Sequence, residues 1–236
     1  MGFWGDFVVA RSDGPLAELG PFATKPGCSD GHTDCLSVCE RRPGGWQTVQ
    51  VCHYLPGDDY DWWLNELVAA TGAPVMIATV ADSAMGQLRG LAPSGVGWTT
   101  FLDPESADAE GMLDYRADPD GEFDGEPEGA AVQRVLDEAP EMADRIAGWA
   151  AEAGFQADAE AIRALLVTES DPFVEDIFFD LLDACGLPEV DSAGDRAPLI
   201  IDHLSRLATT YHGFWIRKGR ISVKICPESV VSRHDA

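Results

Sequence analysis

The sequence predicts an α+β protein: an antiparallel sheet of about six strands with one packed helix, followed by a helical C-terminal half and a terminal β-hairpin. Two observations carry that expectation. Residues 1–102 hold short apolar runs, alternating or continuous, set apart by Gly, Pro, Asp and Ser turns, which is the period of strands. From residue 131 the apolar positions recur at spacings of three and four, the period of helices. With 236 residues, 45% of them hydrophobic and 24% charged, the chain is long enough to bury a core without covalent staples. The pattern divides it into a sheet-plus-helix region at 1–102, an acidic connector at 103–130 and a helical region with a hairpin at 131–236, which also read as one continuous domain.

The first half supplies the strands. Phe7 to Ala10 is a short apolar run that suits a buried strand. Residues 35–40 and 46–53 flank the turn Arg41-Arg42-Pro43-Gly44-Gly45 and form a hairpin. In WQTVQVCH, Val49 and Val51 alternate with Thr48 and Gln50, the mark of a half-buried strand. A helix follows, with Asp58 or Asp59 as its cap and Trp63, Leu67 and Ala70 on one face. Gly72 ends it and Pro74 blocks its continuation. The stretch PVMIATVADSAMGQLRGLAPSGVGWTTFL then gives three strands, turning at Asp82-Ser83 and at Pro93-Ser94-Gly95, a β-meander.

Residues 103–128 hold eleven acids and one base, Arg116, and read as a short helix near 107–115 followed by an exposed loop. Beyond them Val132, Val135, Leu136, Met142, Ile146 and Trp149 fall at helical spacings, and Pro140 is expected to start a second helix. AEAIRALLV, after Asp158, is another helix. In DPFVEDIFFDLLDACGLP, Asp171 is expected as the cap, Pro172 in the first turn, and Gly186 and Pro188 as the stop. Its Phe173, Ile177, Leu181 and Ala184, widened by Val174, Phe178 and Leu182, make a stripe broad enough to be buried on two sides. One more helix is expected at 197–211, and FWIRKGRISVKIC forms a basic hairpin turning at Arg217-Lys218-Gly219-Arg220.

Several stretches resemble a group of uncharacterised actinobacterial, Streptomyces-type proteins with a start of the form M-G-x-W-G-x-x-V-V-x-R. They are the opening MGFWGDFVVARSDGPLAEL, together with GGWQ, TGAPVMIATVADS, WAAEAGF and FVEDIFFDLLDACGLP. The likeness spans most of residues 1–188, and the Asp82-Ser83 turn and the Gly-Gly-Trp turn carry it best. It implies a bacterial, cytoplasmic origin and one continuous unit. No activity and no site residue come with it.

Charge sets the strongest limit on function. Forty-one acids against sixteen bases give a net charge of -25 and a pI near 4.2. Such a field repels phosphates, which excludes nucleic acid and anionic lipid as partners and favours basic proteins, although acidity also serves solubility alone. No secretory signal opens the chain, and no run approaches the roughly twenty apolar residues of a membrane span, so a cytoplasmic protein with reduced cysteines is expected.

Cys28, His32, Cys35 and Cys39 in CSDGHTDCLSVC, with Cys52 and His53 beyond, have the ligand types of a zinc site. On a regular strand, however, Cys35 and Cys39 would lie about 13 Å apart at roughly 3.3 Å per residue, too far for one ion. A site using Cys28, His32, Cys35 and either Cys52 or His53 stays open beside the plainer reading, thiols acting as small apolar residues. DPDGEFDGEPEG, residues 118–129, matches the first half of a calcium loop. Ala131 stands where the bidentate acid belongs, which leaves a solvated acidic loop as the default.

No G-x-S-x-G, H-E-x-x-H, P-loop or G-x-G-x-x-G occurs. Asp202, His203 and His212 share no helical face, and Cys185, at a helix carboxyl end, makes a poor nucleophile. No catalytic residue, cofactor or metal ligand is therefore assigned. Asp58, Asp59, Tyr60, Asp61 and Trp62 combine acids with aromatic rings, a recipe for gripping Lys- or Arg-rich chains as well as for a capped helix with tryptophans in the core. The reading that results is an acidic binding or inhibitory protein, immunity- or antitoxin-like, with a basic protein partner. The alternatives are an enzyme assembled from scattered residues and a small zinc-binding regulator.

Overall fold

Six segments pair as strands, namely β1 (Gly5–Arg11), β2 (Leu36–Arg41), β3 (Trp46–Cys52), β4 (Val75–Ala81), β5 (Met85–Leu91) and β6 (Gly97–Leu102). In this computed structural model the described residues are 2–16, 19–24, 36–52, 54–55, 59–113 and 129–187, with the backbone alone at 23–24, 36–41, 52, 214–217 and 220–223. All pairings are antiparallel in the order β2-β3-β1-β4-β5-β6. Five of these strands carry described side chains, and β2 joins their edge through its backbone.

Register decides what each face carries. Val8 lies opposite Val49 and Ile77, and Phe7 opposite Gln50 and Ala78. Because side chains alternate along a strand, Val8, Ala10, Val49, Val51, Val75 and Ile77 share one face, and Phe7, Val9, Trp46, Met76, Ala78 and Leu88 share the other. The first face packs under α2 (Tyr60–Thr71) through Trp63, Leu64 and Leu67, with Phe22 of α1 (Gly20–Thr24) beside them. The second packs under α4 (Ala130–Glu152), α5 (Ala159–Leu166) and α6 (Val174–Ala184). Helices thus cover both faces, where the sequence suggested one packed helix. Each fully buried Leu, Ile or Phe contributes about 1.5–3 kcal/mol, so a sheet apolar on both sides has strong reason to be covered twice.

The caps follow their chemistry. Asp59 accepts the Trp62 N–H at 2.9 Å. Gly72, at φ 61°, donates to the Val68 carbonyl in the left-handed geometry that glycine allows. Asp158 accepts from the N–H groups of Glu160 and Ala161 and starts α5 as expected.

Two helix expectations are corrected. Pro140 does not start a helix but lies inside the 23-residue α4. The ring removes one backbone hydrogen bond, yet Pro140 is exposed while Val135, Ala139, Met142, Ala143, Ile146, Trp149 and Ala150 form one unbroken buried stripe, and that burial outweighs the lost bond. The Trp149 indole also donates to the Val75 carbonyl at 3.1 Å, tying α4 to the sheet. Asp171 does not cap α6 and Pro172 is not in its first turn. The helix begins at Val174, whose N–H donates to the Ser83 carbonyl at 2.9 Å. The short helix expected near 107–115 is α3 (Pro104–Ala109), capped by Asp103.

The Asp82-Ser83 turn is a junction. Both residues adopt positive φ, 48° and 58°, unusual without glycine. Their side chains use that geometry. The Ser83 hydroxyl accepts the Phe3 N–H at 2.7 Å and donates to Glu175 at 2.6 Å, while Asp82 accepts the Gly2 N–H at 2.6 Å. On the far side, the buried Arg42 donates to the Leu187 carbonyl and, at 3.3 Å, to Asp183, joining the β2–β3 turn to the end of α6. The tail segments β7 (Phe214–Arg217) and β8 (Arg220–Val223) pair antiparallel through their backbones. The helix expected at 197–211 lies outside the described residues.

Candidate functional site at the amino end of α2

Where α2 crosses the sheet, the face beneath it changes from apolar to polar. Asp6, Thr79 and Gln87 sit in one cross-strand row, because Asp6 pairs with Thr79 and Thr79 with Gln87. Arg89 is two residues further along β5 on the same face. Asp6 is fully buried. Its carboxylate accepts the Leu55 N–H at 2.5 Å and the Tyr60 hydroxyl at 3.4 and 3.5 Å, and it also bonds Thr79. Arg89 lies 4.1 Å above the Tyr60 ring, donates to the Thr79 hydroxyl at 3.2 Å and donates to Gln87.

Burial dominates the acid–base behaviour of this corner. It pushes the Asp6 carboxyl up to about 6, against the hydrogen bonds from Thr79 and Leu55, the charge of Arg89 and the bond from Tyr60. Burial, and then the Asp6 charge, hold the Tyr60 phenol well above its ordinary value. The exposed Tyr54 phenol is raised by the same two causes.

Beside the corner an open cleft of about 270 Å³ separates α2 from the ends of β5 and β6, lined by Asp61, Leu64, Asn65, Leu91, Trp98 and Thr99 among others. Asp61 and Asn65 stand one helical turn apart on its α2 wall. Thr99 lies opposite Arg89 in the β5–β6 pairing, so the cleft borders the polar corner.

The residues singled out from the sequence are thus partly reunited. Asp59 is exposed and spends one oxygen on its cap. Asp61 is exposed and faces the cleft. Trp62 is half-buried, edge-on to Trp63 at 5.2 Å. Tyr60 turns inward toward Asp6 and not outward to solvent. Asp58 lies outside the described residues. Asp6, Thr79 and Arg89 escaped the sequence reading, although parity could have found them. Asp6 shares the parity of Val8 and Ala10, so an acid stood on a strand face bound for the core.

Of the thiol and imidazole candidates, Cys28, His32, Cys35 and His53 lie outside the described residues, as does the acidic stretch 118–128. Cys39 falls at an irregularity of β2, where the register moves from Val38 opposite Val49 to Glu40 opposite Thr48. Among the described residues no group of three His, Cys, Asp or Glu side chains could hold a metal ion. Cys185 is buried, and that burial pushes its thiol up to about 12. Among the described residues no helix is long and apolar enough to cross a membrane. No family model matches the chain, and neither does any curated protein or solved structure.

Proposed function

We propose that this protein is an acidic binding protein, immunity- or antitoxin-like, that grips a basic protein partner at the amino end of α2. The observation that carries the reading is the cleft wall formed by Asp61 and Asn65 over Leu64 and Leu91. Its volume of about 270 Å³ falls below the roughly 300–1,000 Å³ typical of small-molecule pockets. It suits the apolar stem of a lysine or arginine on Leu64 and Leu91, with the cationic head at Asp61. Asp59 and Asp61 are exposed at this end of α2, and the helix contains no Lys or Arg to neutralise them. Trp62 adds an aromatic surface beside them.

The chain of origin is taken to be actinobacterial and cytoplasmic, with six sheet strands and the terminal hairpin belonging to one folded unit. A second reading, an enzyme with a site assembled from scattered residues, is favoured by the convergence of Asp6, Tyr60, Thr79 and Arg89. Against it stands the full burial of Asp6, which leaves no surface for a substrate.

Calorimetric titration with protamine, an arginine-rich protein, at rising salt tests the first reading. The double change Asp59→Asn with Asp61→Asn, which keeps a cap acceptor at position 59, is expected to weaken binding about tenfold, while neutralising Asp137 and Glu141 on the exposed face of α4 changes it less than about threefold. Equal losses from the two pairs would mean that protamine reads only the overall charge, and the α2 site would be abandoned.

A further inference from the structure

We infer that Asp6 is the proton-linked group of the α2 face, so that a basic chain docking beside Tyr60 and Asp61 draws the proton off Asp6 and binds more tightly as pH rises. This rests on the α2 reading above and adds its regulation.

The geometry places Asp6 directly behind that face. Tyr60 is the connection. Its backbone stands between Asp59 and Asp61 in the first turn of α2, and its hydroxyl reaches the Asp6 carboxylate. The groups facing Asp6 come from every neighbouring element. They are the Leu55 N–H and the Tyr54 phenol from the segment after β3, Tyr60 from α2, Thr79 from β4 and Arg89 from β5. Within this set Arg89 is the cation, and it stacks on Tyr60, whose chain neighbours Asp59 and Asp61 are the exposed acids a docking chain would meet. A second cation arriving at Asp61, next to Tyr60 in the chain, acts on Asp6 through the buried, poorly screened interior, where charges couple more strongly than in water. It favours the ionised carboxyl. Two protonation states of nearly equal population respond most to such a field, and Asp6 titrates near 6.

Linkage makes the effect reciprocal. If docking lowers the Asp6 pKa, ionising Asp6 must tighten docking by the same factor. For a downward shift of about one unit from 6, roughly 0.4 proton is released per bound chain at pH 6, and affinity rises about fivefold between pH 5 and 7.5.

The experiment is calorimetry with protamine at pH 6 in two buffers of different ionisation heat, repeated at pH 5 and 7.5, on wild type and Asp6→Asn. Wild type is expected to release the proton and show the fivefold trend, and Asp6→Asn to bind with neither. Proton release that is equal in the two proteins overturns the inference while leaving the α2 site standing. Absence of binding in both removes the site reading, and this inference with it. Should Asp6→Asn fail to fold, the wild-type aspartate carboxyl carbons report the same event by NMR. The resonance titrating near pH 6 must move to lower pH on adding protamine, and an unmoved midpoint refutes the linkage.

Discussion

Replacing Asp6 by Asn changes one oxygen for an amide nitrogen and removes a buried charge, while an acceptor remains for the Leu55 N–H. In the wild type the carboxyl goes from an ordinary value of 3.8 to about 6 on folding, chiefly through burial. At about 1.36 kcal/mol per unit, that shift makes folding roughly 3 kcal/mol less favourable with Asp6 ionised than with it protonated. The sign follows from proton counting. Between pH 4 and 6 the folded protein holds the Asp6 proton more tightly than the unfolded chain does, so this group's stability is fully present below about pH 4 and is lost as pH rises through 6. Urea unfolding at half-unit steps from pH 4 to 7.5 measures it. The stability difference, wild type minus Asp6→Asn, should fall by about 2.4 kcal/mol across that range and flatten above pH 7. General repulsion among the 41 acids also weakens the fold as pH rises, but it acts on both proteins and cancels in the difference. A difference that stays constant with pH, or grows with it, would show that Asp6 is not buried as described.

Three further outcomes test the packing. Gly90→Ala would place a methyl 2.2–2.6 Å from the Trp98 indole, and the forced shift should cost about 1–3 kcal/mol in urea unfolding. Arg42→Met removes the bonds to Leu187 and Asp183 and the contact over Phe179; a loss of about 2 kcal/mol is expected, measured the same way. Asp103, at φ 52°, caps α3 through the Ser106 N–H and accepts from both the Ser170 N–H and its hydroxyl at 2.9 and 2.6 Å. Burial alone would raise its carboxyl, but these bonds outweigh it and hold the group below its ordinary value. Its stability contribution is therefore present at neutral pH and lost as pH falls below about 4, so Asp103→Asn should cost most above pH 5 and progressively less in acid, followed by thermal unfolding.

Local chemistry made much of the fold legible. Asp59 and Gly72 mark the ends of α2, Asp158 marks the start of α5, and the Asp82-Ser83 and Pro93–Gly95 turns separate the three meander strands. In each case the decisive partners lie within a few residues, so the sequence itself holds the whole interaction. Pro140 and the Asp171-Pro172 pair show where that logic stops. A proline's local penalty was overridden by a buried stripe that needs the sheet beneath it, and the start of α6 was set by a carbonyl from Ser83, ninety-one residues away.

The candidate site divides the same way. Composition and the order of residues 59–62 by themselves determined an acidic exterior and a capped, aromatic helix start. Tertiary structure alone decided that Tyr60 turns inward to a buried Asp6, that Arg89 stacks upon it, and that Asp61 faces a cleft whose other wall comes from β5 and β6. Those contacts join strands and helix through register and burial, and the desolvation that moves Asp6 toward neutral pH exists only when all of them are assembled.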